Sequence, residues 1–268
     1  MATPSVTWGP IAARGVVLLG CGKMGSALLS GWLAHGLPPG AVTVIDPKPS
    51  DWLRDCGVTL GGPLPAAPAI TLIAVKPQMM QDALPALRDL DDTLFVTVAA
   101  GTPIAAYEAA LGDIRLVRAM PNTPAAVGKG ITAIIGNGAA KPADLDIAEG
   151  LLAAVGEVVR LDHEDQMDAV TGLSGSGPAY VFHLIEALTA AGEAEGLSPD
   201  LSLQLARATV AGAGALAMTG ADPGQLRINV TSPNGTTQAG LQVLMSDLPD
   251  LIRRTVKAAA DRSRELRG

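Results

Sequence analysis

Residues 15–25 read GVVLLGCGKMG, and this stretch decides the fold. The aliphatic run at residues 16–19 has the composition and the length of a buried parallel strand. It leads into a G-x-G-x-x-G turn, and residues 24–35 then place apolar side chains at helical spacing. A strand, such a turn and a helix in this order are typical of a dinucleotide-binding βαβ unit.

Each glycine of the turn has its own expected role. Gly20 permits the tight turn, Gly22 leaves room for a pyrophosphate beside the backbone, and Gly25 lets the helix pack close to the strand. The first N–H groups of the helix then face the phosphates with the positive end of the helix dipole. A glycine-rich turn that binds no ligand is the alternative interpretation of this pattern.

Composition limits the class of function. The 268 residues are 48% hydrophobic and only 3% aromatic, so the core must be aliphatic and rich in alanine. A net charge of −7, with no basic block before residue 250, argues against a nucleic-acid partner. We find no apolar run of membrane-spanning length, no signal peptide, and no metal-ligand spacing of Cys21 and Cys56. We therefore expect a soluble, cytoplasmic protein without a membrane partner.

Strand and helix patterns alternate along the first part of the chain. Further strands are predicted at residues 41–46, 70–75, 94–99, 115–118, 131–135 and 157–161, and helices at 79–90, 103–111 and 143–155. This alternation predicts a doubly wound parallel sheet with ligands beyond the carboxyl ends of its strands. Gly22, residues 76–77, residues 100–101 and residues 120–122 all follow such ends.

The second predicted strand ends at a position that can determine the choice between NAD and NADP. Asp46 lies where an acidic residue can accept the ribose 2′-hydroxyl of NAD. Lys48 and Ser50 follow at once and could instead hold the 2′-phosphate of NADP. A simple turn at Asp46-Pro47 is the third interpretation.

After residue 161 only helical patterns follow, at residues 163–172, 177–196, 200–220, 222–230, 235–245 and 248–266. We therefore expect a loose extension at residues 1–14, a dinucleotide-binding domain at 15–162 and a helical domain at 163–268. Residues 201–218 are apolar or small almost all round, with Arg207 as the only charge. A helix of this kind needs cover on most sides, which predicts a partner subunit.

The helical region has few cations. No lysine occurs between Lys141 and Lys257, so the region lacks a phosphate-binding cluster and an obvious lysine acid. Two turns of small residues, at 174–177 and 231–237, instead open predicted helices. The N–H groups at such helix starts suit one carboxylate, although an ordinary Ser or Thr cap would give the same pattern.

These segments carry a family resemblance. Residues 173–180, LSGSGPAY, and residues 231–237, TSPNGTT, closely resemble the two signature segments of pyrroline-5-carboxylate reductases. Residues 75–78, VKPQ, and 120–124, MPNTP, are similar to motifs of that family's cofactor domain. The resemblance runs from about residue 16 to residue 266, with the segments in the same order.

The resemblance implies the final reaction of proline biosynthesis, the reduction of the cyclic imine 1-pyrroline-5-carboxylate to L-proline by NADPH or NADH. It also implies a Rossmann domain followed by an all-α dimerisation domain. The implied assembly is a homodimer, which in some members is part of a larger oligomer such as a decamer.

Individual residues acquire roles through the same resemblance. Ser232, Gly235 and Thr236 would offer N–H groups to the substrate carboxylate, and Thr237 would be the catalytic residue that hydrogen-bonds the ring nitrogen. The implied cofactor-binding residues are Gly20, Gly22, Lys23, Met24, Gly25, Asp46, Lys48, Val75, Lys76, Pro77, Ala100, Gly101, Met120, Pro121 and Asn122.

Two positions depart from the family pattern. Asn234 stands where the family usually has glycine, and asparagine tolerates the left-handed conformation better than most residues. Asp46 stands where members that prefer NADPH usually have a polar or basic residue.

Two other functions remain open on the residues alone. A β-hydroxyacid-type dehydrogenase shares the two-domain plan, but it needs a lysine on the first long helix of the second domain. A non-catalytic dinucleotide-binding protein of the same fold is the other alternative. For imine reduction we expect neither a metal nor a covalent intermediate, because positioning of two bound molecules can lower the barrier by roughly 7–11 kcal/mol.

Overall fold

The computed structural model describes residues 8–267 and contains one eight-stranded sheet. Its strands are β1 Val16–Leu19, β2 Val42–Ile45, β3 Thr59–Leu60, β4 Ile70–Ile73, β5 Leu94–Thr97, β6 Arg115–Met120, β7 Gly130–Gly136 and β8 Gly156–Arg160. Their order across the sheet is β3-β2-β1-β4-β5-β6-β7-β8. All seven predicted strands are present. The additional strand, β3, has two residues and is too short to give a sequence pattern.

The sheet is mixed, so the prediction of a fully parallel sheet was wrong at one edge. β6 and β7 pair antiparallel, with Val117 opposite Gly136, whereas every other neighbouring pair is parallel. The link from β6 to β7 contains only the short 3₁₀ helix Thr123–Val127. A parallel return needs a longer crossover, so the chain turns back beside β6.

Seven helices connect or cover the strands. They are α1 Trp8–Arg14, α2 Lys23–Ala34, α3 Asp51–Asp55, α4 Met80–Ala83, α5 Ile104–Leu111, α6 Pro142–Ala153 and α7 Gln166–Val170. The predicted helix at residues 79–90 is divided into α4 and the 3₁₀ helix Leu84–Leu87. Pro85 explains the division, because proline lacks the N–H that a continuing helix would use.

The strands place alternate side chains in two buried clusters, one on each face. Val16 and Leu18 of β1 belong to the first cluster, with Trp32 of α2 and Leu151 of α6. Val17 and Leu19 belong to the second, which also contains residues of α4 and α5. This two-residue period is the geometry of a strand buried on both faces. The Trp32 Nε1–H donates to the Leu151 carbonyl at 2.9 Å, which ties α2 to α6.

The N-terminal segment is helical, contrary to the expected loose extension. Trp8 Nε1–H donates to the His35 carbonyl at 2.7 Å, and Ile11 is buried in the first cluster. Arg14 donates to the carbonyls of Ala67 and Pro68. These contacts hold α1 against the sheet, whereas residues 1–7 of the expected extension lie outside the described residues.

The compact units differ from the expected domain limits. Among the described residues, one unit contains residues 8–175 and 259–267, and the other contains residues 176–258. The change from strands to helices near residue 162 therefore does not coincide with the division. The reason is that Glu164 of the following segment pairs with Arg118 of β6 at 2.6 Å, and Asn122 binds the Ser174 carbonyl at 3.2 Å.

The second unit is helical, as predicted. Its helices are α8 Gly177–Ala194, α9 Pro199–Ala217, α10 Pro223–Asn229 and the greater part of α11 Thr236–Glu265. We predicted two helices within residues 235–266, but α11 is continuous and contains Pro249. The residues around 246–248 contain no glycine, and Asp247 and Leu248 are compatible with helix, so nothing ends the helix there.

The second unit leaves much apolar surface exposed within one chain. Only Ser202 and Ala206 are buried in α9, and no residue of α8 is buried. Phe182 is 59% exposed, Met218 71% and Val243 72%. Apolar surface on this scale is typical of a subunit interface rather than of a free surface.

Across residues 8–267, no helix is both long enough and apolar enough to cross a bilayer. The same residues contain no cluster of three or more His, Cys, Asp or Glu side chains that could hold a metal ion.

The packing of α1 gives the first prediction. Ile11→Ala should lower the free energy of unfolding by about 2 kcal/mol, because it removes the buried side chain that seats the helix. Ile147→Ala is the matched control, since Ile147 on α6 is 40% exposed. Urea unfolding of both variants measures the difference. Equal midpoints for Ile11→Ala and wild type would show that α1 is not part of the folded unit.

Candidate active site

The glycine turn has the geometry that its sequence predicts. Gly20 has φ +87°, and a methyl group placed on it would lie 2.8 Å from the Val75 side chain. A methyl group on Gly25 would lie 2.5 Å from the Gly20 carbonyl oxygen, closer than any side chain tolerates. A methyl group on Gly22 would meet no described atom within 4 Å. Of the three glycines in the turn, only Gly22 therefore has open space beside it, and this is where a pyrophosphate is expected.

The start of α2 has the features of an anion-binding site. The N–H groups of Gly22, Lys23 and Met24 have no acceptor within residues 8–267. No acidic side chain occupies the first turn of α2, and the Lys23 side chain is exposed. Met24 instead packs against the first buried cluster. The residues present therefore fit a dinucleotide pyrophosphate, held by backbone N–H groups and a helix dipole.

Asp46 lies at the end of β2 and holds this turn in place. Its Oδ2 accepts from the Cys21 N–H at 2.7 Å, and its Oδ1 accepts from the Lys48 N–H at 2.8 Å. Each carboxylate oxygen can accept more than one hydrogen bond, so both remain able to accept a ribose hydroxyl. The interpretation of Asp46 as a simple turn residue is therefore too narrow, because it contacts a residue 25 positions earlier.

The Cys21 thiol is not an activated nucleophile. Burial, followed by the charge of Asp46 and then Cys56, raises the pKa of Cys21 from 9.0 to about 12. The thiolate is the reactive form of cysteine, so a raised pKa keeps Cys21 protonated and unreactive at neutral pH. Cys21 contributes its backbone to the turn, and its side chain packs against the first cluster.

Three more loops follow the carboxyl ends of β4, β5 and β6. Val75 is buried in the second cluster, while Lys76 and Pro77 are exposed, with Pro77 starting a 3₁₀ helix. Gly101 has φ +76°, which explains the glycine after Ala100. These residues stand at the carboxyl edge of the sheet, where open α/β sheets bind their ligands.

The loop after β6 differs from the expectation in one respect. We expected Met120, Pro121 and Asn122 to line the cofactor. The Asn122 side chain is instead buried and occupied, because its Nδ2 donates to the Ser174 carbonyl at 3.2 Å and its Oδ1 accepts from the Ile131 N–H at 3.0 Å. Pro121 is also buried. Asn122 therefore fixes the loop, and Met120 is the residue with a partly exposed side chain.

Residues 231–237 form a tight turn before α11. Asn234 has φ +59°, so it adopts the left-handed conformation that its substitution for glycine requires. Its N–H donates to the Gln238 side chain. Gly235 does not offer a free donor, contrary to expectation, because its N–H bonds the Ser232 carbonyl at 3.0 Å. A methyl group on Gly235 would lie 3.1 Å from that oxygen, so a side chain here would be in tight contact with it.

Other N–H groups of the turn remain free for an anion. Those of Ser232, Thr236 and Thr237 have no acceptor in the part of the chain that the structure describes. The first turn of α11 contains no acidic residue, and the side chains of Thr236 and Thr237 are exposed. The helix dipole therefore favours a negative group at this point. The Thr237 hydroxyl is exposed in this first turn of α11.

Sequence reasoning missed an ionic contact beneath the cofactor loops. Arg118 of β6 is 3% exposed and pairs with Glu164. The same Glu164 oxygen accepts from the Ile104 N–H at 2.8 Å and so caps the start of α5. The partners are 46 and 60 positions apart, a distance at which no local pattern identifies a pair.

Together, the mixed doubly wound sheet, the glycine turn and the helical second unit define a two-domain dinucleotide-dependent oxidoreductase. Comparison with known families agrees with this class. Residues 164–266 match the family described as pyrroline-5-carboxylate reductase dimerisation, and residues 15–101 match the family described as NADP oxidoreductase, coenzyme F420-dependent.

Individual relatives are similar over almost the whole chain. The pyrroline-5-carboxylate reductase of Pseudomonas aeruginosa is 38% identical over 264 residues, which cover 94% of this chain and 96% of that protein. Among solved structures, the Coxiella burnetii pyrroline-5-carboxylate reductase has a TM-score of 0.90 at 34% identity, covering 95% of this chain and 99% of the other. The Plasmodium falciparum pyrroline carboxylate reductase, solved with NADP bound, has a TM-score of 0.84 at 28% identity, with coverage of 96% and 100%.

The chain belongs to the pyrroline-5-carboxylate reductase family. It is therefore an NAD(P)H-dependent oxidoreductase that acts on a CH–NH group, and it carries a dimerisation domain. The family excludes the alternative of a β-hydroxyacid-type dehydrogenase. In agreement with this, α8 lacks the lysine that such an enzyme needs.

The glycine turn gives the second prediction, from a matched pair of alanine variants. Gly22→Ala should fold normally but raise the Kd for NADPH at least tenfold, because the methyl group fills the space expected for the pyrophosphate. Gly25→Ala should lower the melting temperature as well, since its methyl group meets the Gly20 carbonyl. Calorimetric binding and thermal unfolding separate the two effects. Normal NADPH binding by Gly22→Ala would place the pyrophosphate elsewhere.

Proposed function

We propose that the chain reduces 1-pyrroline-5-carboxylate to L-proline, with the substrate carboxylate bound at the start of α11. The observation that supports this placement is that the N–H groups of Ser232, Thr236 and Thr237 have no acceptor within the described range, residues 8–267. A substrate with one carboxylate matches a site that has backbone dipoles and no lysine or arginine within residues 231–238.

The reaction needs a hydride and a proton. Bound NAD(P)H supplies the hydride to the ring carbon that is double-bonded to nitrogen. The N–H groups at the start of α11 fix the carboxylate, and the Thr237 hydroxyl hydrogen-bonds the ring nitrogen. The hydroxyl thereby orients the C=N bond. Its oxygen accepts a hydrogen bond from the protonated iminium or from the product amine. Because threonine is a poor acid, water is the ultimate source of the proton.

The dinucleotide is proposed to bind along the carboxyl edge of the sheet. The glycine turn and the start of α2 hold the pyrophosphate, and Asp46 and Lys48 meet the ribose. Lys76 and Pro77, with Ala100, Gly101 and Met120, surround the nicotinamide end. Asn122 contributes through the loop that it fixes, rather than through a free amide.

The activity is tested by following NADH and NADPH oxidation in parallel at 340 nm with pyrroline-5-carboxylate. Turnover that forms proline, identified by chromatography, is the expected result. A chain that binds dinucleotide but oxidises neither cofactor with this imine would be the non-catalytic alternative.

Thr237 gives the third prediction. Thr237→Ala should lower kcat/KM for the imine by about ten- to a thousandfold, the range for one well-placed hydrogen bond in a transition state. Dinucleotide affinity should not change. Thr236→Ala is the matched control, because the role proposed for Thr236 uses its N–H, which alanine keeps. Thr237→Ser should retain most activity, because serine keeps the hydroxyl. Wild-type kcat/KM in Thr237→Ala would show that Thr237 only begins the helix and has no role in the reaction.

Cofactor selectivity gives the fourth prediction. We propose that the enzyme uses both cofactors, since Asp46 repels a 2′-phosphate while Lys48 attracts it. Asp46→Ser should raise the ratio of kcat/KM for NADPH to that for NADH by about five- to tenfold. It should also weaken both cofactors together, because it removes the acceptor of the Cys21 N–H. Lys48→Ala should move the ratio the opposite way, and an unchanged ratio in both variants would exclude these residues from the ribose site.

Self-association gives the fifth prediction. We propose a homodimer as the smallest active unit, because one chain leaves α8 and α9 without buried apolar residues apart from Ala206. Light scattering at micromolar concentration should show no monomer, and it distinguishes the dimer from a larger assembly such as a decamer. An active monomer would contradict the proposal.

We propose a cytoplasmic location for the enzyme. Cys21 and Cys56 are both free thiols, which is the usual state in a reducing compartment. Fractionation of the source cells, with activity recovered in the cytosolic fraction, checks this location.

A further inference from the structure

Asp168 on α7 is a fully buried carboxylate that none of the roles above uses. Its Oδ1 accepts from the Ser263 hydroxyl at 2.7 Å, and its Oδ2 forms an ion pair with the Arg267 guanidinium. A buried carboxylate is strongly unfavourable unless it is paired and hydrogen-bonded. The Asp168 carboxylate therefore requires the end of α11 and the residues just beyond it to stay in place.

One consequence concerns the loop after β5. Leu266 lies between Ser263 and Arg267, and a methyl group on Gly101 would lie 3.5 Å from the Leu266 Cβ. The chain end that Asp168 holds thus packs directly against Gly101. This is one of the three loops proposed to surround the nicotinamide end.

The second consequence concerns the loop after β6. α7 continues into a π-helical turn, Thr171–Gly175, in the same compact unit. A methyl group on Gly175 would lie 2.7 Å from the Met120 Cε, and the Ser174 carbonyl accepts from Asn122. The turn that follows Asp168 in the chain therefore packs against a second of these three loops, the one that contains Met120.

We propose that Asp168 is a positioning residue for the nicotinamide end of the dinucleotide. Through Ser263 and Arg267 it holds Leu266 against Gly101, and through α7 it holds Gly175 against Met120. One buried carboxylate thereby sets the spacing of the two loops. This inference rests on the proposed placement of the nicotinamide, and the pyrophosphate site of the glycine turn is independent of it.

The test compares two ligands that share the pyrophosphate but not the nicotinamide. In Asp168→Asn, calorimetry should show at least a tenfold rise in the Kd for NAD⁺ or NADP⁺, with less than a twofold change for ADP-ribose. The kcat for the imine should fall at least tenfold. Ser263→Ala should show the same pattern to a smaller extent, and it keeps the ion pair if Asp168→Asn fails to fold.

A double-variant cycle identifies the route of the effect. Since Asp168 acts through Arg267, Asp168→Asn/Arg267→Gln should lose no more kcat than Asp168→Asn alone. Asp146→Asn is the matched control, because Asp146 forms an exposed ion pair with Arg160 on α6 and β8. It should leave both ligand affinities and kcat unchanged.

Two results would overturn the inference. One is a folded Asp168→Asn or Ser263→Ala variant with wild-type kcat and wild-type NAD⁺ affinity. The other is equal weakening of ADP-ribose and NAD⁺, which would show a general structural role. If the wild type did not reduce pyrroline-5-carboxylate, the proposed function would fail, but the comparison of NAD⁺ with ADP-ribose would still decide the role of Asp168.

Discussion

The close approach of α2 to the end of β1 determines how the rest of the first unit is arranged. It exists because Gly25 has no side chain, since one methyl group there would meet the Gly20 carbonyl at 2.5 Å. With the helix this close, its first N–H groups lie at the carboxyl edge of the sheet and have no acceptor among residues 8–267. Asp46 then fixes the turn through the Cys21 N–H. The anion site is thus a result of backbone packing, with no cationic side chain needed.

The same principle holds at the other helix start. Ser232, Thr236 and Thr237 present N–H groups before a helix whose first turn has no acid. Here a left-handed Asn234 and a closely packed Gly235 shape the turn. The sites that we propose for two different ligands, a pyrophosphate and a carboxylate, therefore use the same feature, the unpaired N–H groups at a helix start. Specificity must come from the groups around each site, such as Asp46 or the Thr237 hydroxyl.

Much of the fold could be predicted from sequence because the controlling interactions are local. The alternation of Val16 and Leu18 with Val17 and Leu19 reflects the pleat of one strand, and the glycine spacing reflects one turn. The antiparallel β7 was not predicted, because strand direction depends on the length of a connection rather than on the strand's composition. The continuity of α11 was missed for a related reason. A proline within a helix is compatible both with an end and with continuation when its neighbours are helix formers.

The site was predicted less completely, because hydrogen-bond partners are not visible in a local pattern. Asn122 has a position that suits a ligand, yet its amide is used by Ser174 and Ile131. The N–H of Gly235 is used within its own turn. Asp168 was not identified at all, since Ser263 is 95 positions away. Such pairs depend on the tertiary fold. The one local sign is a charged residue among apolar neighbours, as for Asp168 in the sequence Gln-Met-Asp-Ala-Val.

The absence of ionisable side chains at residues 231–238 has a consequence for how the enzyme responds to its surroundings. Attraction between full charges is weakened by dissolved salt and altered by titration, whereas peptide dipoles act at contact distance and carry no titratable proton. Affinity for a carboxylate at the start of α11, where we propose that the substrate binds, should consequently stay nearly constant as ionic strength rises or as pH moves across the neutral range. Such an enzyme would keep the same substrate saturation in a cell whose ion content fluctuates.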